Sequence, residues 1–494
     1  MDKKLWLFSL GSLLLFGTVV LSLICTANPT WAKYQKEYFQ AQITQLHTKL
    51  RVTSLPQKKA ELEEQISQWQ KRKPQIVSLV LPDGRVERCQ TCHLGLEEIS
   101  ASHPSNTFGC TVCHGGNGLS LDLNTAHADW YGQGHPDRLS VASLSCGGRG
   151  PNGQTCHNGN NVLAQNEVDL VKTSLMATKA GELSVVRQMF GLDKGAVVPG
   201  LGSGEPAEQY HNPLNGNQRQ ARFEQNCLHQ CHQAGGYLPL FVLPGQKPTG
   251  NQTAPVKENV PGNGCATCHV LTNPSHTYCG GDVTISRTQK GLGSSHRLTT
   301  RIPFTQCNQC HNQGWHDPIK MQFTPRSDLS TVINHWQGND QNGQDRVKDY
   351  YVPGEVFARC EVSLDCIDCH TRQDVMGDGH LYTSEYRAVH IQCQDCHGTI
   401  YSPPLSKLIV SNSDLAFEEG ITNPVFPKLA VGKEIGLTHK GEELPFVRHQ
   451  GRQWYLFNRV TGEQFVIPLV YGSGCRQDPA QQGTDACHNC HKTA

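Results

Sequence analysis

The chain has 494 residues, with Lys+Arg and Asp+Glu balanced at 43 each and 17 % charged residues, against about 25 % in an ordinary soluble domain. Zero formal net charge, with no basic run or aromatic platform, argues against a nucleic-acid partner. The unusual entries are 22 Cys, 24 His and 48 Gly, and the reading turns on how they are spaced.

The N-terminus reads MDKK and then, from about Leu5 to Ala27, carries no charge and is mostly apolar. That length is enough for one membrane-spanning helix, with Lys3 and Lys4 on the cytoplasmic side. A signal peptide cut after TWA, before Lys33, is the alternative. Cys25 is a poor lipid-attachment site, because bulky Ile24 precedes it. Residues 1–32 are therefore expected to be an anchor or signal.

Residues 33–75 read as a helical stalk. Ile43, Leu46 and Leu50, then Leu62, Ile66 and Trp69, recur at helical spacing, and Pro56 divides the segment into two helices. A plain spacer and a docking surface for another subunit both fit.

The region from 76 to 399 holds most of a recurring motif, C-x-x-C-H. Seven strict copies occur: Cys89-Cys92-His93, Cys110-Cys113-His114, Cys265-Cys268-His269, Cys307-Cys310-His311, Cys366-Cys369-His370, Cys393-Cys396-His397 and Cys487-Cys490-His491. Random placement would give roughly 0.05 copies. Zinc ribbons and redox disulfides use C-x-x-C but have no need of a histidine fixed at the next position. Covalent haem attachment does, since two thiols add to two vinyl groups and the adjacent histidine becomes the proximal iron ligand.

Two further sites are stretched versions. CLHQCH supplies Cys227, Cys231 and His232, and CGGRGPNGQTCH supplies Cys146, Cys156 and His157. The second thiol still adjoins a histidine in both, while a glycine-rich insertion can loop out between the thiols. For the long one, a local Cys146–Cys156 disulfide is the competing reading. At the C-terminus a stretched Cys475-Cys487-His488 site competes with the strict one; the strict one needs no unusual loop. The expected total is nine c-type haems. Cys279, Cys360 and Cys475 remain for a disulfide whose pair the sequence does not choose.

The sixth iron position separates an electron wire from an enzyme. There are five Met, but histidines outside the motifs are plentiful. The candidates for distal ligands are His103, His127, His135, His211, His296, His316, His335, His380, His390, His439 and His449. Such a surplus points to bis-histidine ligation and low potentials, though it leaves room for one open iron.

Asp169–Gly191 is a helix candidate by its apolar spacing. From about Ile400 to Gly474 the pattern changes to strand-like runs (KLIV, LPFV, QWYLFNRVTGEQFVIPLV), with a turn at Thr461–Gly462. This reads as a small β-rich unit at 400–474, followed by the last site at 475–494. No Gly-rich nucleotide loop, Ser-His-Asp order or paired-carboxylate motif is recognisable.

From about Arg88 onward, segments such as FGCTVCHGG, IPFTQCNQCHN and CIDCHTRQDVMGDGHLY…CQDCHG resemble membrane-anchored, exported multihaem c-type cytochromes of bacterial respiratory chains. The chain departs from the ammonifying nitrite reductases in lacking a C-x-x-C-K site, and it matches the octahaem hydroxylamine oxidoreductases poorly. The resemblance implies irregular loops and short α-helices wrapped around a stacked haem array, with an N-terminal transmembrane helix, a helical stalk and a β-rich C-terminal unit. It also implies electron transfer from a membrane quinol-oxidising complex or another redox protein, in the periplasm or outside the cell, to an acceptor there; a homo-oligomer is compatible with it. A reductase or oxidase of a small nitrogen or sulfur compound, and a subunit of a haem filament, are the rival readings.

Overall fold

The computed structural model describes residues 6, 9–19, 29–158, 166–177, 264–273, 277–289, 292–307, 364–380, 382, 388–414, 416–417, 425–476, 487 and 491, together with the backbone of two short strands at 315–317 and 322–324. Expected site residues Cys227, Cys231, His232, Cys310, His311, Cys490, His211 and His335, and the side chain of His316, lie outside that set. So does most of the helix expected at 169–191; its described start is a helix at Glu167–Val171. The chain forms two compact units, one of residues 1–134 and 275–296, the other of residues 135–274 and 297–494.

Two expectations are corrected here. Among the described residues no helix is long and apolar enough to cross a membrane. The single N-terminal span, and the cytoplasmic-membrane location built on it, are not supported. Nor does the described chain show loops wrapped around a haem array. Its largest regular element is a five-stranded antiparallel sheet with a side-chain core of its own.

In the first unit, α1 (Thr30–Val52) and α2 (Pro56–Lys71) form a helical hairpin joined by three residues. Pro56 occupies the first helical position, where its missing N–H costs nothing and its fixed φ ends the preceding segment. Ile43, Leu46, Leu62 and Ile66 are buried between the two helices, with Leu50 and Trp69 at the margin. Each such side chain contributes about 1.5–3 kcal/mol by leaving water. The hairpin is more than a spacer. Buried Gln35 of α1 donates through Nε2 to the carbonyls of Gln75 (2.7 Å) and Thr91 (2.8 Å), and accepts from the Gln75 N–H (2.9 Å). Thr91 lies inside the first C-x-x-C-H motif, so α1 braces that site directly. A two-stranded hairpin, β1 (Leu79–Val80) and β2 (Val86–Glu87), delivers the chain into the same motif.

In the second unit a short hairpin pairs β3 (Trp315–Asp317) with β4 (Gln322–Thr324). The main sheet runs β5 (Ser406–Leu408), β6 (Glu434–Leu437), β7 (Glu443–Gln450), β8 (Gln453–Phe457) and β9 (Gln464–Ile467), each strand antiparallel to its sequence neighbour. The tight β7–β8 connection contains Gly451 at φ 67°, a left-handed conformation that glycine adopts without strain. Leu444, Phe446 and Val447 on central β7 pack with Trp454, Leu456, Phe457 and Ile467. Cys369 and Cys396, the second thiols of two motifs, pack against this core. The sheet thus acts as a platform for two sites.

If this core carries the unit, Phe446→Ala should lower unfolding free energy by about 3–5 kcal/mol. Val466→Ala, at a half-exposed position, should change it by less than about 0.5 kcal/mol. Denaturant unfolding followed by tryptophan fluorescence measures both. Equal effects would show that β7 is not the core strand.

Candidate haem attachment sites

Each described strict motif from Cys89 to His397 sits on a single helical turn: Cys89–Thr91, Thr111–His114, Ala266–His269, Cys366–Cys369 and Cys393–His397. A recurring bond closes the turn, from the histidine N–H to the carbonyl of the first cysteine: His93 to Cys89 (3.0 Å), His114 to Cys110 (2.9 Å), His269 to Cys265 (3.0 Å) and His370 to Cys366 (2.9 Å). One turn puts residues three and four apart on one face, so both thiols and the imidazole are presented together. Gly115 (φ 70°) and Gly398 (φ 69°) end two of these turns in the left-handed conformation usual for a helix-terminating glycine.

The long stretched site makes the same closure. The His157 N–H donates to the Cys146 carbonyl at 2.9 Å, although ten positions separate Cys146 from Cys156. The insertion folds on itself, through Gly150 N–H to Gln154 O (2.8 Å) and Cys156 N–H to Gly148 O (2.9 Å). Nine residues in place of two thus lie between the thiols of what is otherwise the same turn.

Acidic side chains fix the turns to the scaffold. Buried Glu87 accepts from the Cys110 N–H (2.5 Å), the Thr111 N–H (3.2 Å) and the Thr111 hydroxyl. Asp368, between the thiols of CIDCH, accepts from the Asp365 N–H (2.8 Å), Asn458 Nδ2 (2.6 Å) and the Arg459 N–H (2.6 Å). Asp395, in CQDCH, accepts from the Gln392 N–H (2.8 Å) and the His439 N–H (2.7 Å). In these two motifs the aspartate is the third residue of a capping box, and its other bonds reach into the sheet. The readable signal was the D in C-x-D-C-H, a common N-terminal helix residue.

First cysteines of different motifs meet in pairs: Cys89 with Cys110, Cys146 with Cys265, and Cys307 with Cys366. In each pair one thiol hydrogen-bonds the other's sulfur. The accepting thiols Cys89, Cys146 and Cys366 are lowered chiefly by that bond, and the donors Cys110, Cys265 and Cys307 are raised by it. Glu87 joins the first pair, with its oxygens and the two sulfurs all within 4.8 Å. This trio is a poor metal site: both Glu87 oxygens already serve backbone amides, so two thiols would stand nearly alone where zinc takes four ligands.

A metal-ligating histidine characteristically gives its second ring nitrogen to a carboxylate or a carbonyl, which fixes ring orientation. The motif histidines follow that pattern. Nδ1 of His93 is 2.7 Å from Asp282 and 2.9 Å from the Thr284 hydroxyl, Nδ1 of His269 is 2.8 Å from Thr299 O, and Nδ1 of His397 is 2.8 Å from Pro468 O. His157 lies 3.7 Å from Glu167 and His370 lies 3.5 Å from Asp374, again through Nδ1. In His93, His269 and His397 this commits Nδ1 and leaves Nε2 as the ring nitrogen a metal would take. Burial keeps His269 and His397 below the ordinary imidazole range, in the neutral form that binds metal. For His93 burial acts the same way, but the Asp282 carboxylate outweighs it and raises the imidazole.

The distal candidates divide. His127 and His296 lie beside motif histidines: the His93 and His127 ring centres are 6.1 Å apart, and those of His114 and His296 are 5.9 Å apart. His390 is buried, with Nδ1 2.5 Å from Glu442 and Nε2 3.4 Å from Asp378. His439 is held on Asp395, inside a motif. His449 is on β7, its ring stacked 5.0 Å from Trp454 and Nδ1 2.7 Å from Glu434. Exposed His380 is 3.3 Å from Asp378, and His103 shares Nδ1 with the hydroxyls of Ser100 (3.2 Å) and Ser102 (3.1 Å). Burial, with Arg138 nearby, keeps His135 below the ordinary range. Cys475 and Cys279 are exposed.

The donor set fits covalently held haem: paired thiols and an imidazole on one turn, with the second ring nitrogen committed elsewhere. No known protein family, curated protein or solved structure matches the chain.

If Asn458 holds the CIDCH turn to the sheet, Asn458→Ala should cost about 1–3 kcal/mol, because the Asp365 and Asp368 carboxylates lose a donor in a buried place. Chemical unfolding of the variant against wild type checks this. No loss of stability would mean that the turn is fixed elsewhere.

Proposed function

We propose that this chain is an electron-transfer protein carrying nine covalently attached c-type haems, one at each of the seven strict motifs and the two stretched ones, and exchanging electrons with other redox proteins. The observation that carries the reading is the sevenfold C-x-x-C-H motif, in which only haem attachment gives the final histidine a task. Two features of the fold support it. The described motifs share one turn geometry, which the His157 site reaches with nine residues between its thiols instead of two. Nδ1 of His93, His269 and His397 is taken by a carboxylate or carbonyl, which leaves Nε2 for a metal.

Bound haem would supply reversible one-electron chemistry at iron, at potentials set by its axial ligands and surroundings. The protein's task is then to hold. Cys89, Cys92 and His93, and their counterparts at each motif, would provide two thioether links and one iron ligand. Glu87, Asp368 and Asp395 keep the turns from shifting, which limits the structural change that accompanies each electron. The contacts Cys89–Cys110, Cys146–Cys265 and Cys307–Cys366 support reading neighbouring sites as redox neighbours, since short separation is what electron hopping needs.

The test is a potentiometric titration of the purified full chain, followed by optical spectra, with EPR of the oxidised form. The expected result is reduction over several overlapping one-electron steps at low potential, with every haem low-spin. A high-spin haem that binds nitrite, hydroxylamine or sulfite and turns it over would move the protein to the reductase class.

A further inference from the structure

We propose that His127 and His296 complete the axial coordination of the two irons whose motif ligands are His93 and His114, giving each site of the first unit a histidine pair. The inference rests on the haem-attachment reading above and assigns a partner to each of two specific irons.

The first ground is distance. Two imidazoles that share one metal ion, each bound at about 2 Å, place their ring centres roughly 6 Å apart. His93 and His127 are 6.1 Å apart with planes at 86°, and His114 and His296 are 5.9 Å apart with planes at 26°. Both separations leave room for one ion between the rings. The second ground is which ring atoms are already committed. Nδ1 of His93 faces Asp282, and Nδ1 of His127 lies 2.8 Å from Leu123 O. Each of those rings therefore has Nε2 left to offer, with the tautomer fixed by a backbone or carboxylate oxygen. His296 differs in that its buried Nδ1 has no hydrogen-bond partner among the described residues, so its place beside His114 is argued from ring distance and from the segment that holds it.

Both residues are also held in place by elements with no other evident purpose. His127 ends a short helix, Leu123–Ala126, whose first turn is capped by Asp122 accepting from the Thr125 N–H at 2.9 Å, and the Trp130 ring meets its own edge-on at 4.1 Å. His296 is brought back to the motifs from far along the chain. Its N–H donates to Glu97 at 3.1 Å, and Glu97 also accepts from the Gly281 N–H (2.5 Å) and the Tyr278 hydroxyl (2.9 Å). Asp282, the partner of His93, belongs to the same returning stretch, Ser275–His296. One returning segment thus orients one motif histidine and positions the ring beside another. His103, in the same unit, instead packs its ring against Phe108 at 5.3 Å and shares Nδ1 with two serine hydroxyls, so it serves as the control.

The experiment uses the purified full chain, with haem counted by the pyridine haemochromogen assay and spin state read by EPR in the oxidised form. His127→Ala and His296→Ala should each keep the wild-type haem count and convert one low-spin haem to high-spin, and added imidazole should return it to low-spin. His103→Ala should leave every haem low-spin. His127→Met and His296→Met keep a ligand at the position, and each should raise the potential of one haem without creating a high-spin signal. They also replace an alanine variant that fails to accumulate. Alanine variants with full haem content and an unchanged low-spin spectrum would overturn the assignment and reduce the close rings to ordinary packing. Wild-type protein without covalent haem would instead overturn the attachment reading itself, so the two failures are distinguishable.

Discussion

One hydrogen bond, from a histidine N–H to the carbonyl of a cysteine four positions earlier, organises this protein. It closes a helical turn that presents two sulfurs and an imidazole from five consecutive residues, and it recurs at His93, His114, His269 and His370. The His157 site shows that the bond matters more than the spacing. There, Gly147, Gly148 and Gly150 belong to an insertion that leaves the main path and returns, so that the Cys146 carbonyl and the His157 amide still meet. A bond of this kind contributes only about 1 kcal/mol on its own. Its value lies in fixing direction, because a rigid three-group donor set is what a covalently held cofactor requires.

Short turns do not hold themselves in place; an isolated helix needs more than a dozen residues to be even marginal in water. The two units solve this differently. In the first, a helical hairpin supplies the apolar core and Gln35 reaches from it into the first motif, while the returning 277–289 segment braces His93 from the other side. In the second, the five-stranded sheet supplies the core, and Asp368 and Asp395 extend from their motifs to Asn458, Arg459 and His439. Buried acids at turn N-termini recur in both units. Each satisfies amide groups that would otherwise be orphaned, which is why carboxylates are tolerated in such dry positions.

Much of the candidate chemistry was legible in the sequence, because C-x-x-C-H is a local pattern whose residues all lie on one turn. The helical spacing of Ile43, Leu46, Leu62 and Ile66, and the break at Pro56, were legible for the same reason. What could not be read is non-local. Nothing near Asp282 marks it as the partner of His93, which is 189 positions away, and no spacing rule pairs Cys146 with Cys265 over the intervening motif. The N-terminal apolar run misled in a different way. Composition gives the hydrophobicity of a stretch but not the helix it forms, and among the described residues no helix is long and apolar enough to cross a membrane. The expected haem-wrapped fold failed because the C-terminal segment had enough large apolar residues, Phe446, Trp454 and Phe457 among them, to build a core from side chains alone.

The most direct test of the account is the mass of the intact chain under denaturing, reducing conditions, followed by peptide mapping. Covalent attachment predicts a chain heavier than its polypeptide by nine haems, one of them on the peptides carrying Cys146 and Cys156. A chain of unmodified mass, with its motif thiols open to alkylation or holding zinc before denaturation, would contradict it.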